Sequence, residues 1–207
     1  MFREFDELMK EDKFASALPL LDSIEFLLLR VPGYKVSYEP GIVYNNRGSA
    51  YLSMAIYGGK DSTEKSGLLE LAEKNIDSAI VIYNCWLEKN SSLSKEELSE
   101  KIKPFFAEND LAFNGKNYNK ILKKRAEDLA LAQKETPRRL SVTYTNLGII
   151  QRHQYKQNEA VESYIKAIKL WKDNFTARNN FNVLMGKPPK DRSIIDQLFP
   201  PDKNKFP

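Results

Sequence analysis

The chain holds one cysteine and one histidine in 207 residues. A lone Cys85 closes no internal disulfide and builds no thiolate metal cluster. A lone His153, in a polar helix end, leaves a thiol protease or a histidine-rich zinc site very little to work with. Long apolar runs are also missing. The longest is "FLLL" at residues 26–29, far short of the roughly 18 residues that would cross a bilayer. Residues 1–20 carry acids where a signal peptide needs a positive start and an apolar centre. The chain is therefore expected to be cytoplasmic, or exported if a removed signal preceded Met1. No stretch alternates at strand period, and no phosphate loop or nucleophile motif is present. No catalytic residue, metal ligand or cofactor is assigned.

What is present is globular: 42% of the residues are hydrophobic, so a disordered or fibrous chain is excluded. The net charge of +4 hides a split. Residues 1–100 hold 11 Lys+Arg against 17 Asp+Glu, a net of −6, whereas residues 101–207 hold 21 against 11, a net of +10. Such asymmetry fits a basic docking surface or simply solvated helix faces that differ. The basic residues of "KILKKRAEDLALAQKETPRR" are interleaved with acids and lack aromatic alternation, so no nucleic-acid partner is expected. In "IVIYNCWLE", Cys85 sits among aromatic and aliphatic neighbours and reads as a buried structural thiol.

Helical periodicity runs through almost the whole chain. It predicts helices near 2–10, 13–31, 40–57, 65–89, 95–113, 117–136, 138–154, 157–173 and 175–186. The breaks carry turn chemistry: "VPGY" at 31–34, "YGGKDSTEKSG" at 57–67, "NSS" at 90–92, "FNGKN" at 113–117 and "ETP" at 135–137. Within two of these helices sits a glycine, at a cost of about 1 kcal/mol relative to alanine. Close approach of a neighbouring helix accounts for it, and Ala160, Tyr164 and Ala167 supply a face at four-and-three spacing.

The pattern recurs. "YNNRGSAYL" at 44–52 aligns with "YTNLGIIQR" at 144–152, and Asn180 in "RNNFN" follows Asn146 by 34 residues. Ala72, Ile76 and Ala79 repeat the spacing of Ala160, Tyr164 and Ala167, as do Ala17, Leu21 and Ile24. These features resemble the tetratricopeptide repeat family, over residues 141–182 and 40–86 above all. The resemblance implies a right-handed α-α superhelix of about four helical hairpins plus a C-terminal capping helix. Residues 1–187 would form the repeat domain and the proline-rich 188–207 a capping tail, with Ile194, Ile195, Leu198 and Phe199 covering the last hairpin. Departures are visible. Gly48 to Ala72 is 12 residues longer than Gly148 to Ala160, which places an inserted loop near 57–67. Arg125 stands where the family has an aromatic, and Tyr155 where it has a glycine.

In such a stack the first helices of the hairpins line a concave face, and the resemblance implies that asparagines there bond the backbone of an extended peptide. Asn46, Asn146 and Asn180 take equivalent places, although the same amides could serve to hold helix to helix. Asn45, Ser49 and Arg152 lie near them, and Arg178 flanks Asn180. The expected function is a noncatalytic protein-interaction scaffold binding an extended, partly acidic peptide or protein in that groove. The alternative is binding of a small apolar ligand in a pocket between hairpins. Carboxylate pairs such as Glu96-Glu97 read as solvated helix faces rather than catalytic dyads.

Overall fold

The computed structural model describes residues 1–106 and 117–189, and every regular element among them is helical. In chain order these are α1 (Phe2–Lys10), α2 (Phe14–Arg30), the single turn α3 (Pro32–Lys35), α4 (Glu39–Tyr57) and α5 (Ser62–Asn90). Then come α6 (Lys95–Ile102), which runs into a 3-10 turn (Lys103–Phe105), α7 (Tyr118–His153), α8 (Gln157–Leu170) and α9 (Phe175–Leu184). Packing follows the chain: α1 on α2, α2 on α4, α4 on α5, α5 on α7, α7 on α8 and α8 on α9. In addition α7 touches α4 and α9.

Local chemistry sets the helix ends. Asp61 accepts bonds from the Thr63 and Glu64 amides at 2.9 Å each and starts α5. Ser94 and Glu97 exchange side-chain and backbone bonds in a capping box at the start of α6. Asn117 caps α7 and Asn174 caps α9. At the other ends, α1, α7 and α9 close with one motif. The amide three residues past the last helical residue reaches back to the carbonyl five positions earlier (Lys13 to Leu8, Lys156 to Gln151, Lys187 to Asn182), with a left-handed residue before it. That residue is Gly186 in α9, but Asp12 in α1 and Tyr155 in α7.

Glycine makes the closest helix contacts. A Cβ on Gly41 would lie 2.6 Å from the Tyr83 ring, one on Gly48 2.8 Å from the Ile76 side chain, and one on Gly148 2.5 Å from the Tyr164 ring. Close approach is thus the reason for the interior glycines. The facing residue differs from the expectation, however: a large side chain fills the space that the glycine leaves, and Ala72 contributes only its carbonyl near Gly48. Tyr83, Ile76 and Tyr164 are at most 1% exposed. Burying such a side chain is worth about 1.5–3 kcal/mol, which exceeds the helix-propensity cost of about 1 kcal/mol per glycine.

Three apolar clusters line up along the packing order. Phe5, Ala17, Leu21, Ile24 and Val43 join α1, α2 and α4. Leu52, Ala55, Leu69, Ile76, Leu147 and Ile150 join α4, α5 and α7. Tyr83, Trp86, Leu98, Ile102, Leu122 and Leu129 join α5, α6 and the first half of α7.

Several predicted boundaries are corrected. The helices at 117–136 and 138–154 are one, so four separate hairpins are not formed: α7 spans 36 residues with Pro137 inside it. Proline removes one backbone donor but its φ suits a helix. Leu129, Ala132, Thr136, Leu140 and Thr143 stay buried on both sides of it, and that burial outweighs the lost bond. The predicted loop at 57–67 is mostly helix, because Asp61 caps at once; the insertion lengthens α4 and α5. The helix predicted over 95–113 ends at Ile102, where Pro104 follows two residues later. Residues 107–113 and the capping tail 190–207, with Ile194, Ile195, Leu198 and Phe199, lie outside the described residues.

Gly148→Ala is expected to destabilise the fold by about 1–3 kcal/mol in urea melts, because the added methyl meets a buried ring with no room to turn. A melt indistinguishable from wild type would show that the α7–α8 contact is looser than these distances. Tyr155→Gly should do the opposite. Tyr155 has φ +64° and is 88% exposed, so it gives no packing to lose. Relief of the left-handed strain should stabilise by about 0.5–1 kcal/mol, and a lowered melting midpoint would refute it.

Candidate functional site

Two of the three repeated asparagines come together. Asn45 and Asn46 on α4 and Asn146 on α7 are half-buried and linked in a row. Asn146 Nδ2 donates to Asn45 Oδ1 at 3.3 Å, and Asn45 Nδ2 donates to Asn46 Oδ1 at 3.4 Å. Both bonds are at the long end of the range and therefore weak. An amide side chain offers two donors and a two-lone-pair acceptor, so most of the capacity of Asn46 and Asn146 is uncommitted. Ser49 is also half-buried, one turn along α4.

The other predicted groove residues are placed differently. Asn180 donates to the Thr176 carbonyl of its own helix at 3.0 Å and does not join the row. Arg178 is exposed on α9 and Arg152 half-buried near the end of α7; neither forms an ion pair with a described residue. Thr145, next to Asn146, is buried in a polar knot. Asn174 Nδ2 donates to Ser141 Oγ at 2.8 Å and to Thr145 Oγ1 at 2.9 Å, while Ser141 Oγ donates to the Ala167 carbonyl at 2.6 Å. These bonds fasten α7, α8 and α9 together.

Arg47, which periodicity did not single out, ties α4 to α2. Its Nη2 lies 2.8 Å from Asp22 Oδ1 and 2.7 Å from Glu25 Oε2, and the Tyr44 hydroxyl donates to Glu25 at 2.8 Å. Burial opposes the Arg47 charge, but its bonds to Glu25 and Asp22 outweigh that and raise its pKa. The hydrogen bond to Glu25 raises that of Tyr44.

A second constellation was also not anticipated. Arg125, placed where an aromatic was expected, is buried and pairs with buried Glu39 at the start of α4. It also donates to Ser37 Oγ at 3.0 Å and lies 4.2 Å from the centre of the Tyr34 ring. Next to it Tyr38 packs edge-on against Trp86, with Arg139 5.1 Å from its ring centre. Burial, then the Glu39 charge, push the Tyr38 pKa up to about 12. The ensemble closes the corner between α3, α4 and α7, with Arg125, Glu39, Ser37 and Tyr38 buried and Tyr34 and Arg139 half-buried.

A cavity of about 700 Å³ lies along α5, lined by Tyr44, Glu70, Glu73, Asp77 and Val81 among others. Burial and the neighbouring Glu73 raise the Asp77 pKa. Three carboxylates stand in this open groove beside the apolar Val81 and Ile82. Among the described residues, no group of three His, Cys, Asp or Glu is placed to hold a metal ion, and no helix is long and apolar enough to cross a membrane. Cys85 is exposed, which corrects the buried reading. Tyr83 and Trp86 take the inward face of α5, and the position between them turns outward. His153 is half-buried, and burial, then Lys65 and Arg152, lower its pKa.

Compared with known proteins, the chain matches no family model, no curated protein and no solved structure.

The buried pair gives a test of its own. Glu39→Gln should destabilise by about 3–5 kcal/mol, since it strands the Arg125 charge away from water. Replacing both partners, as Glu39→Leu with Arg125→Met, should recover much of that loss. Urea melts that show an additive, worse double variant would mean that the pair is not coupled in the folded chain.

Proposed function

We propose that the chain is a noncatalytic scaffold, a degenerate relative of the tetratricopeptide repeats, that holds an extended peptide across the face shared by α4 and α7. The observation that carries this reading is the row of Asn45, Asn46 and Asn146. It spans two helices that are 101 residues apart at its hydrogen bond, and its weak internal bonds can be exchanged for a peptide's N–H and C=O at little net cost. A free Asn46 amide and a free Asn146 carbonyl offer a donor and an acceptor at the two ends of the row, the two groups that a peptide unit bonds. Arg152 on α7, without an ion pair among the described residues, favours acidic side chains in the ligand. The helical-repeat character is supported by the neighbour-to-neighbour packing and by the recurring glycine contacts.

The test is a selection of peptides from a random display library on the full chain, followed by binding measurements on the purified double variant Asn46→Ala/Asn146→Ala. Each lost bond is worth roughly 0.5–1.5 kcal/mol, so affinity should fall about tenfold or more, with the urea midpoint little changed. Added salt should weaken selected acidic peptides further. Normal binding combined with an early melt would show that the amides hold the helices together and not a ligand.

A further inference from the structure

The outward face of α2 carries an apolar surface that no described residue covers. Phe26 is 58% exposed, Leu27 52% and Leu29 46%. The inward face of the same helix is already satisfied by Phe5 of α1 and Val43 of α4. Large apolar side chains clustered in this way on an exposed face mark an interaction surface. A solvated helix would place charge there.

The charges that remain on this face identify the occupant. Asp22 and Arg30 stand four residues on either side of Phe26, which is one helical turn each way. When two identical helices pair antiparallel about a two-fold axis at Phe26, each residue after Phe26 faces the residue equally far before it in the other copy. Arg30 then faces Asp22 of the second copy, twice by symmetry, and Leu29 faces the small Ser23. A surface that contains its own complement at equal and opposite offsets meets the requirement of an isologous contact.

We propose that α2 is a self-association surface, through which two copies of this chain pair with Phe26 on the two-fold axis. The side chains are already arranged for it. Arg30 lies over the Phe26 ring with its guanidinium carbon 4.6 Å from the ring centre, which holds the charge beside the apolar contact. Asp22 bonds Arg47 through Oδ1 alone, and its side chain is 69% exposed, so Oδ2 is open to a second arginine. This surface lies on α2, apart from the α4–α7 amide row, and does not depend on the peptide-binding reading.

Sedimentation velocity on the full chain, from low to several hundred micromolar, should show a reversible monomer–dimer equilibrium. Phe26→Asp should leave only monomer. Arg30→Asp should weaken the dimer at least ~tenfold, since it sets like charges face to face. Adding Asp22→Arg to that variant should restore association, because the swapped pair meets again across the axis. Melting curves and helical circular dichroism identify any variant that fails to fold. For an independent reading, Cys85→Ser removes the exposed thiol, and Phe26→Cys in that background should give a disulfide-linked dimer on mild oxidation. Val81→Cys, exposed on α5, should not. A wild type that stays monomeric throughout overturns the proposal. So does a dimer that survives Phe26→Asp and fails to cross-link at position 26.

Discussion

How closely two antiparallel helices can approach governs this molecule. On α4 the glycines stand at 41 and 48, and on α5 the residues that enter the vacated space stand at 83 and 76. Both steps are seven residues, taken in opposite directions along the chain. Ala55 and Leu69 extend the step once more and share one core cluster. A seven-residue period keeps the same stripe in contact as a pair of helices lengthens, which explains how α5 can reach 29 residues and still pack along α4. Gly148 and Tyr164 repeat the solution between α7 and α8. Each contact trades a small loss of helix propensity for a fully buried ring or aliphatic chain, and the burial is the larger quantity.

The buried Arg125–Glu39 pair has a different purpose. Two charges out of water gain little net stability over an apolar pair of the same shape, so stability alone does not explain their presence. They do fix geometry. Arg125 reaches Glu39, Ser37 and Tyr34, residues of one short connection, and so ties the α3–α4 corner to one point on the first half of α7. A core of leucine and alanine in that place would allow the corner to slide. The 36-residue α7 needs such a fixed point, because its first half extends past α8 to pack on α5 and α6.

Helix content and the core stripes were legible because burial follows the 3.6 period, as with Ala160, Tyr164 and Ala167, all unexposed. Turn chemistry by itself misplaces two helix boundaries. Pro137 and the polar run after Tyr57 look like breaks, but a long buried stripe carries a helix through a proline, and one aspartate restarts a helix within four residues. The spacing of Asn46 and Asn146 pointed to α4 and α7, where Asn146 bonds Asn45 rather than its equivalent Asn46. Asn180 shared the spacing but turned to its own backbone, a choice that periodicity does not encode. Arg125 and Glu39, 86 residues apart in sequence, carried no local signal beyond a charge at a core position, and that misfit was the clue to a partner.

Consecutive residues of α4 face different neighbours, and this places the helix between α2 and the amide row. Tyr44 and Arg47 bond Glu25 and Asp22 of α2, while Asn45, between them in sequence, bonds Asn146 of α7. A shift of α4 relative to α2 therefore moves the amide row as well. Glu25 is held from two sides, by the Tyr44 hydroxyl and by Arg47, and its side chain is only 21% exposed, so it works as the firm anchor. Asp22 is held by Arg47 alone and faces water. The strong link lies inside, next to the core, and the weak one lies at the surface, where a second cation can compete for the carboxylate without disturbing the first. An ion pair with one firm and one exposed acid leaves Asp22 open to a second cation while α4, and the amides it carries, stay where the glycine contacts hold them.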